Sequence, residues 1–97
     1  MLEKNITTAI MRYLKSVSHC FCWKQHGSHF GKAGLPDIIA CIGGRFVAFE
    51  VKTESGKLTK LQESAIARIT AAGGIAHKVT SADEVKTIIE NLEGLTT

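Results

Sequence analysis

Residues 34–52 read GLPDIIACIGGRFVAFEVK, and three of them, Asp37, Glu50 and Lys52, are charged within otherwise apolar runs. Two carboxylates that reach one point suit a hard divalent cation such as Mg²⁺, which takes oxygen ligands and keeps several waters for chemistry. A lysine beside them offers positive charge to a phosphate. Whether the three meet is a question of register. Gly43-Gly44 separates the two runs and accepts the positive φ angles of a primed two-residue turn. With those glycines as the loop, Ile42 pairs with Arg45, and counting back along both strands sets Asp37 directly opposite Glu50. Their Cβ atoms would then lie about 4.5–5.5 Å apart, an unfavourable placement for like charges unless something neutralises them. The two-residue period of a strand puts Lys52 on the same face. A three-residue loop would send the carboxylates to opposite faces. The competing reading is a salt bridge from Lys52 to one carboxylate, contributing only ~0–1 kcal/mol where exposed and leaving the other poorly paired.

The elements that must hold this hairpin follow from periodicity. Leu2, Ile6, Ile10, Tyr13, Leu14 and Val17 fall at helical spacing and predict an amphipathic helix over about 2–17. Cys20 to Gln25 is short and aromatic-rich, a predicted strand, and the polar, glycine-containing HGSHFGKAG after it is a predicted loop. The hairpin strands are expected near 37–42 and 45–52. Thr59 is placed to cap a helix reaching about Ala72, with Gln62 completing a capping box. Gly73-Gly74 ends it, Ile75 to Val79 is a strand, and Ser81 with Glu84 opens a last helix to about Leu92. The order is αβββαβα. The strand, helix and strand at the end predict a right-handed parallel unit, with the fourth strand beside the third. Phe46 and Ala48 on one face of the third strand, and Val47, Phe49 and Val51 on the other, predict an interior strand covered on both sides.

Ninety-seven residues make a single domain, 1–97, able to bury roughly 60–70% of its unfolded surface. A net charge of +3 tolerates a polyanionic partner without requiring one. No apolar run approaches the ~20 residues of a membrane span, and the first residues lack a signal-peptide core, so a soluble intracellular protein is expected. Cys20, Cys22 and Cys41 are an odd number in apolar surroundings, which predicts buried free thiols and a reducing compartment. Cys20-x-Cys22 in a strand lacks the looped spacing of structural zinc sites.

GLPDIIA, then FEVK, then Gln62 on the following helix resembles the PD-(D/E)XK nuclease superfamily, and within it the stand-alone virus-type replication-repair nuclease (VRR-NUC) domain. Pro36-Asp37 and Glu50-Val51-Lys52 fill the motif, and the similarity runs from Glu3 in the first helix through EVKTESGKLTKLQ to AAGGIA. The resemblance implies an α/β restriction-endonuclease-like core with a mixed four-stranded sheet flanked by helices. It implies that Asp37 and Glu50, with the Val51 carbonyl, bind Mg²⁺ or Mn²⁺, that Lys52 is the catalytic lysine, and that Glu3 completes the site. Glu3 also reads as an acidic residue favourable at a helix N-terminus. Gln62 corresponds to a glutamine near the active site, and equally to a capping residue.

The function implied is metal-dependent, structure-specific cleavage of DNA phosphodiesters in replication, repair or recombination, in the manner of a Holliday junction resolvase. A flap or other branched-DNA nuclease, and a non-catalytic nucleic-acid-binding module of the same fold, are the alternatives. Lys52 is assigned to orienting water and stabilising charge ahead of general-base duty. Lys24, Lys32, Lys57 and Lys60 flank the motif as candidate phosphate contacts. His26, Ser28 and His29 share the loop before it and receive no catalytic role. Stand-alone relatives imply a homodimer with two active sites, and a phage or prophage protein in the bacterial cytoplasm.

Overall fold

The structure, a computed structural model, describes residues 1–25 and 33–95. In chain order the elements are α1 (Glu3–Lys15), β1 (Cys20–Lys24), β2 (Ile38–Ile42), β3 (Arg45–Val51), α2 (Lys60–Ala71), β4 (Ile75–Val79) and α3 (Ala82–Leu95). The αβββαβα order expected from periodicity is present. α1 stops short of Val17 because the Ser16 and Val17 N–H groups donate to the Tyr13 and Leu14 carbonyls, closing a tighter last turn.

One sheet runs in the order β1-β2-β3-β4, antiparallel over the first two pairings and parallel for β3 with β4. β3 is therefore interior. Gly43 and Gly44 both have positive φ, 56° and 83°, and Ile42 pairs with Arg45. This is the two-residue primed turn that the sequence calls for.

The two faces of the sheet are unequally covered. On one, Ile38, Ala40, Ile42, Val47, Phe49 and Val51 pack with Ile6, Ile10 and Leu14 of α1 and Val85, Ile89 and Leu92 of α3, forming the main core. On the other, among the described residues, Ile39, Ala48 and Ala76 pack with Ile66 and Ile69 of α2, and no residue of α2 is buried. That second face is layered by register. Trp23, Ile39, Ala48 and Ala76 form one row across the four strands, and Phe21, Cys41 and Phe46 form the next.

α2 lies over the Ala48 and Ala76 end of this face, and the row beyond it, Phe21, Cys41 and Phe46, is exposed. Two sequence expectations are corrected here. Phe46 is 45% exposed instead of covered, and Cys41 is exposed instead of buried. Cys20 and Cys22 point to the main core, are half-buried and are free. Burial, reinforced by Cys22, pushes the Cys20 thiol up to about 11.

Capping fixes the start of both later helices. The Gln62 N–H donates to Thr59 Oγ1 at 3.2 Å and the Thr59 N–H to Gln62 Oε1 at 2.9 Å, a reciprocal capping box. At α3 the Glu84 N–H donates to Ser81 Oγ at 3.1 Å, but the Glu84 carboxylate accepts from Thr80 and not from Ser81, reaching one residue further back than the sequence pattern predicts. Gly34 sets the approach of the motif to α2: a Cβ there would lie 2.6 Å from the Leu61 carbonyl carbon and oxygen, and its φ is +82°. Only glycine fits such a contact.

Candidate active site

Asp37 stands one residue ahead of β2, where the chain leaves the buried Pro36 and enters the sheet. Its position is fixed from both sides. The Gln25 N–H donates to the Asp37 carbonyl at 2.7 Å, continuing the β1 pairing, and the Val51 N–H donates to Asp37 Oδ2 at 2.8 Å, tying the side chain to β3. The hairpin register continues from Ile38 paired with Phe49 to Asp37 opposite Glu50. On the far side, Glu50 pairs with Lys78 of β4. A polar row Gln25, Asp37, Glu50, Lys78 thus crosses the sheet on the face bearing α2.

Glu50 is the buried charged residue of this corner, 2% exposed. Its Oε2 lies 3.9 Å from Lys52 Nζ, while Oε1 is buried with no hydrogen-bond partner among the described residues. Burial first, then the adjacent Asp37 carboxylate, with a smaller contribution from Glu3, raises the Glu50 carboxyl to about 8 against an opposing pull from Lys52. The salt bridge considered at the sequence level exists, but at 3.9 Å it is a loose pair and leaves one carboxylate oxygen unmet.

This donor set fits a divalent cation. Among the described residues no three His, Cys, Asp or Glu side chains gather into a metal-holding group. The oxygens on offer are two carboxylates, Asp37 and Glu50, with the Val51 carbonyl on the same strand. A buried, unmet carboxylate oxygen beside a second carboxylate is the arrangement that a hard cation relieves. Glu3, exposed at the start of α1, joins Lys4, Thr7, Lys24, Gln25 and Asp37 in lining a groove of about 180 Å³, so it flanks the pair without joining it. A larger cavity of about 690 Å³, between α1, the segment after Lys52 and the start of α3, includes none of Asp37, Glu50 or Lys52.

Other predicted residues are distributed unevenly. Gln62 spends its side-chain oxygen on the capping box, yet its neighbour Leu61 touches Gly34, three residues before Asp37. Lys24 lies beside Asp37 in the groove, whereas Lys57 and Lys60 are exposed at the entry to α2. Lys32, His26, Ser28 and His29 lie outside the described residues. Sequence reasoning missed Lys78 and Gln25, which flank the carboxylates in register.

Comparison with known proteins bears on this geometry. Solved structures with the same fold include a VRR_NUC domain, 23% identical with a TM-score of 0.76, covering 91% of this chain and 94% of that one. A VRR_NUC domain protein, 21% identical with a TM-score of 0.73, covers 93% and 86% respectively. These likenesses establish the restriction-endonuclease-like fold. No curated protein sequence matches the chain at a significant level. The profile of the archaeal Holliday junction resolvase (Hjc) family matches residues 23–73, a span holding Asp37, Glu50, Lys52 and Gln62 but neither Glu3 nor Lys78. Because that match takes in more than half of the chain and the whole of the charged hairpin, the protein belongs to the Hjc family of Holliday junction resolvases, a family of nucleases.

Proposed function

We propose that this protein is a Mg²⁺- or Mn²⁺-dependent endonuclease that hydrolyses phosphodiesters in branched DNA, four-way junctions foremost. The observation that carries the reading is the paired corner, in which the partnerless Glu50 Oε1 sits across the register from Asp37 and beside Lys52.

In this reading Asp37, Glu50 and the Val51 carbonyl would hold the cation, with Glu3 on the rim of the adjoining groove. A divalent cation there would supply a lowered pKa for water and take up charge developing on the phosphate. Asp37 is pre-set for its task, because its hydrogen bond to the Val51 N–H fixes the carboxylate against the strand that carries the carbonyl. Lys52 is largely sheltered, its side chain 14% exposed, so its Nζ is confined near Glu50 and supplies charge to a non-bridging phosphate oxygen while orienting the attacking water. Water adds to phosphorus and releases a proton to solvent, a P–O ester bond breaks, and the departing oxygen takes up a proton from solvent. Gln62, held at the start of α2 by its cap, borders the site. Lys24, Lys57 and Lys60 contact flanking phosphates, which makes binding salt-sensitive.

Two strands cross a junction symmetrically, so paired cutting calls for two active sites and a homodimer. Four-way junction, flap, duplex and single-stranded DNA, each incubated with Mg²⁺ or Mn²⁺, distinguish the substrates. Paired nicks in the junction are expected, with Lys52→Ala inactive. Failure to cut any of the four, or equal cutting by Lys52→Ala, overturns the assignment; one-sided flap cutting replaces resolution with a repair-type activity.

A further inference from the structure

The Trp23 row of the second sheet face lies beside the chemistry, and the open row that holds Phe21 lies next beyond it. Trp23 is 41% exposed and Phe21 is 71% exposed, both on β1. Their ring centroids are 5.5 Å apart with planes inclined by 44°, so the rings brace each other without covering each other's faces. Trp23 Nε1 donates to Gln25 Oε1 at 3.2 Å, and the Gln25 N–H donates to the Asp37 carbonyl. The indole is therefore tied by two hydrogen bonds to the backbone of the residue that begins the carboxylate corner.

Register sets the separation. Trp23 pairs with Ile39, one strand over and one pleat along from Asp37, which places the two Cα atoms roughly 8 Å apart. At the other end of the polar row, Lys78 is exposed beside Glu50. A pair of carboxylates and a lysine thus share one row across the strands, and the aromatic face of Trp23 lies in the adjoining row of the same sheet face.

We propose that Trp23, braced by Phe21, is a base-stacking residue that holds an unpaired or unstacked nucleotide next to the phosphate being cut, with Lys78 contacting the backbone on the opposite side. The proposal rests on the nuclease reading above and names the substrate feature recognised: a base freed from its stack at a branch point. Three features favour nucleic acid over another apolar partner. The ring sits beside carboxylates poised for a cation and a phosphate, the flanking Lys78 and Lys52 are cationic, and the net charge of the chain is +3. Stacking on an exposed aromatic is sequence-tolerant, because every base has a π face. It therefore selects DNA by structure.

Trp23 is the single tryptophan of the chain, so its emission reports on this site directly. The full chain is titrated in Ca²⁺, which is used to permit binding without turnover, with four-way junction, single-stranded and blunt duplex DNA. Junction and single-stranded DNA are expected to quench the emission strongly, and duplex weakly. Trp23→Ala is expected to weaken junction binding about 10-fold with duplex binding unchanged, and Trp23→Phe to retain most of the affinity. Equal quenching by all three DNAs, or none by any, overturns the proposal. So does an emission shift that follows protein concentration without DNA, which would show a second copy covering the ring. Junction cutting by wild type with unaltered binding by Trp23→Ala would overturn this inference alone; absence of cutting with selective quenching would overturn the nuclease reading alone.

Discussion

Glu50→Gln should make the metal-free protein more stable at alkaline pH while removing its proposed activity. The Glu50 carboxyl is raised from 4.5 to about 8, mainly by burial, with Asp37 adding to the rise. A carboxyl whose folded-state pKa exceeds its unfolded value binds its proton more tightly when folded. The stability it contributes is fully present below about pH 4.5 and is lost as pH rises through about 8. At about 1.4 kcal/mol per pH unit, the interval sets a ceiling of about 5 kcal/mol. Lys52 remains in place and local relaxation reduces the cost, so we expect a loss of about 3 kcal/mol between pH 5 and pH 9. Urea unfolding in EDTA, at unit steps across that range, measures it. The difference between wild type and Glu50→Gln isolates this group from the rest of the titration, and it should widen with pH in favour of the amide. Saturating Mg²⁺ at pH 8 should raise the wild-type midpoint and leave that of Glu50→Gln nearly unmoved. Parallel pH profiles for the two proteins would refute the assignment of a strained, buried acid at the centre of the site.

Three further outcomes test the scaffold. Gly34→Ala sets a methyl group 2.6 Å from the Leu61 backbone at a φ of +82°, and should destabilise by about 2–4 kcal/mol in chemical denaturation, since backbone cannot move aside as a side chain can. Thr59→Ala removes one half of the α2 capping box and should cost about 1 kcal/mol on the same measurement, with any loss of cleavage beyond that reporting on Gln62. Insertion of a third glycine between Gly43 and Gly44 should abolish cleavage in a protein whose circular dichroism still shows the mixed fold, because it breaks the register that opposes Asp37 to Glu50.

The hairpin corner was legible because its geometry is local. A two-residue turn admits one pairing, so Asp37 and Glu50 could be placed by counting from Gly43-Gly44, and the capping box at Thr59 and Gln62 could be read from spacing alone. Lys78 could not be found this way. β3 and β4 are parallel and joined through the whole of α2, and no turn fixes which residue of one faces which of the other. The exposure of Phe46 and Cys41 was also hidden, because alternation says which face a residue takes and not how far a helix extends over that face. Glu3 illustrates the opposite limit: its place in the groove depends on how α1 leans on the sheet, which periodicity does not encode.

The tight turn that sets the register has a kinetic side. Asp37 and Glu50 belong to a single hairpin, so closing the Gly43-Gly44 turn brings them together through short-range contacts. β4, which carries Lys78, pairs with β3 through a long connection that includes the whole of α2. Where the hairpin forms before β4 docks, two like charges meet with few partners, and their repulsion would slow folding more than it speeds unfolding. A proton on Glu50, or a cation shared with Asp37, is in that sense an aid to assembly as well as to the folded site.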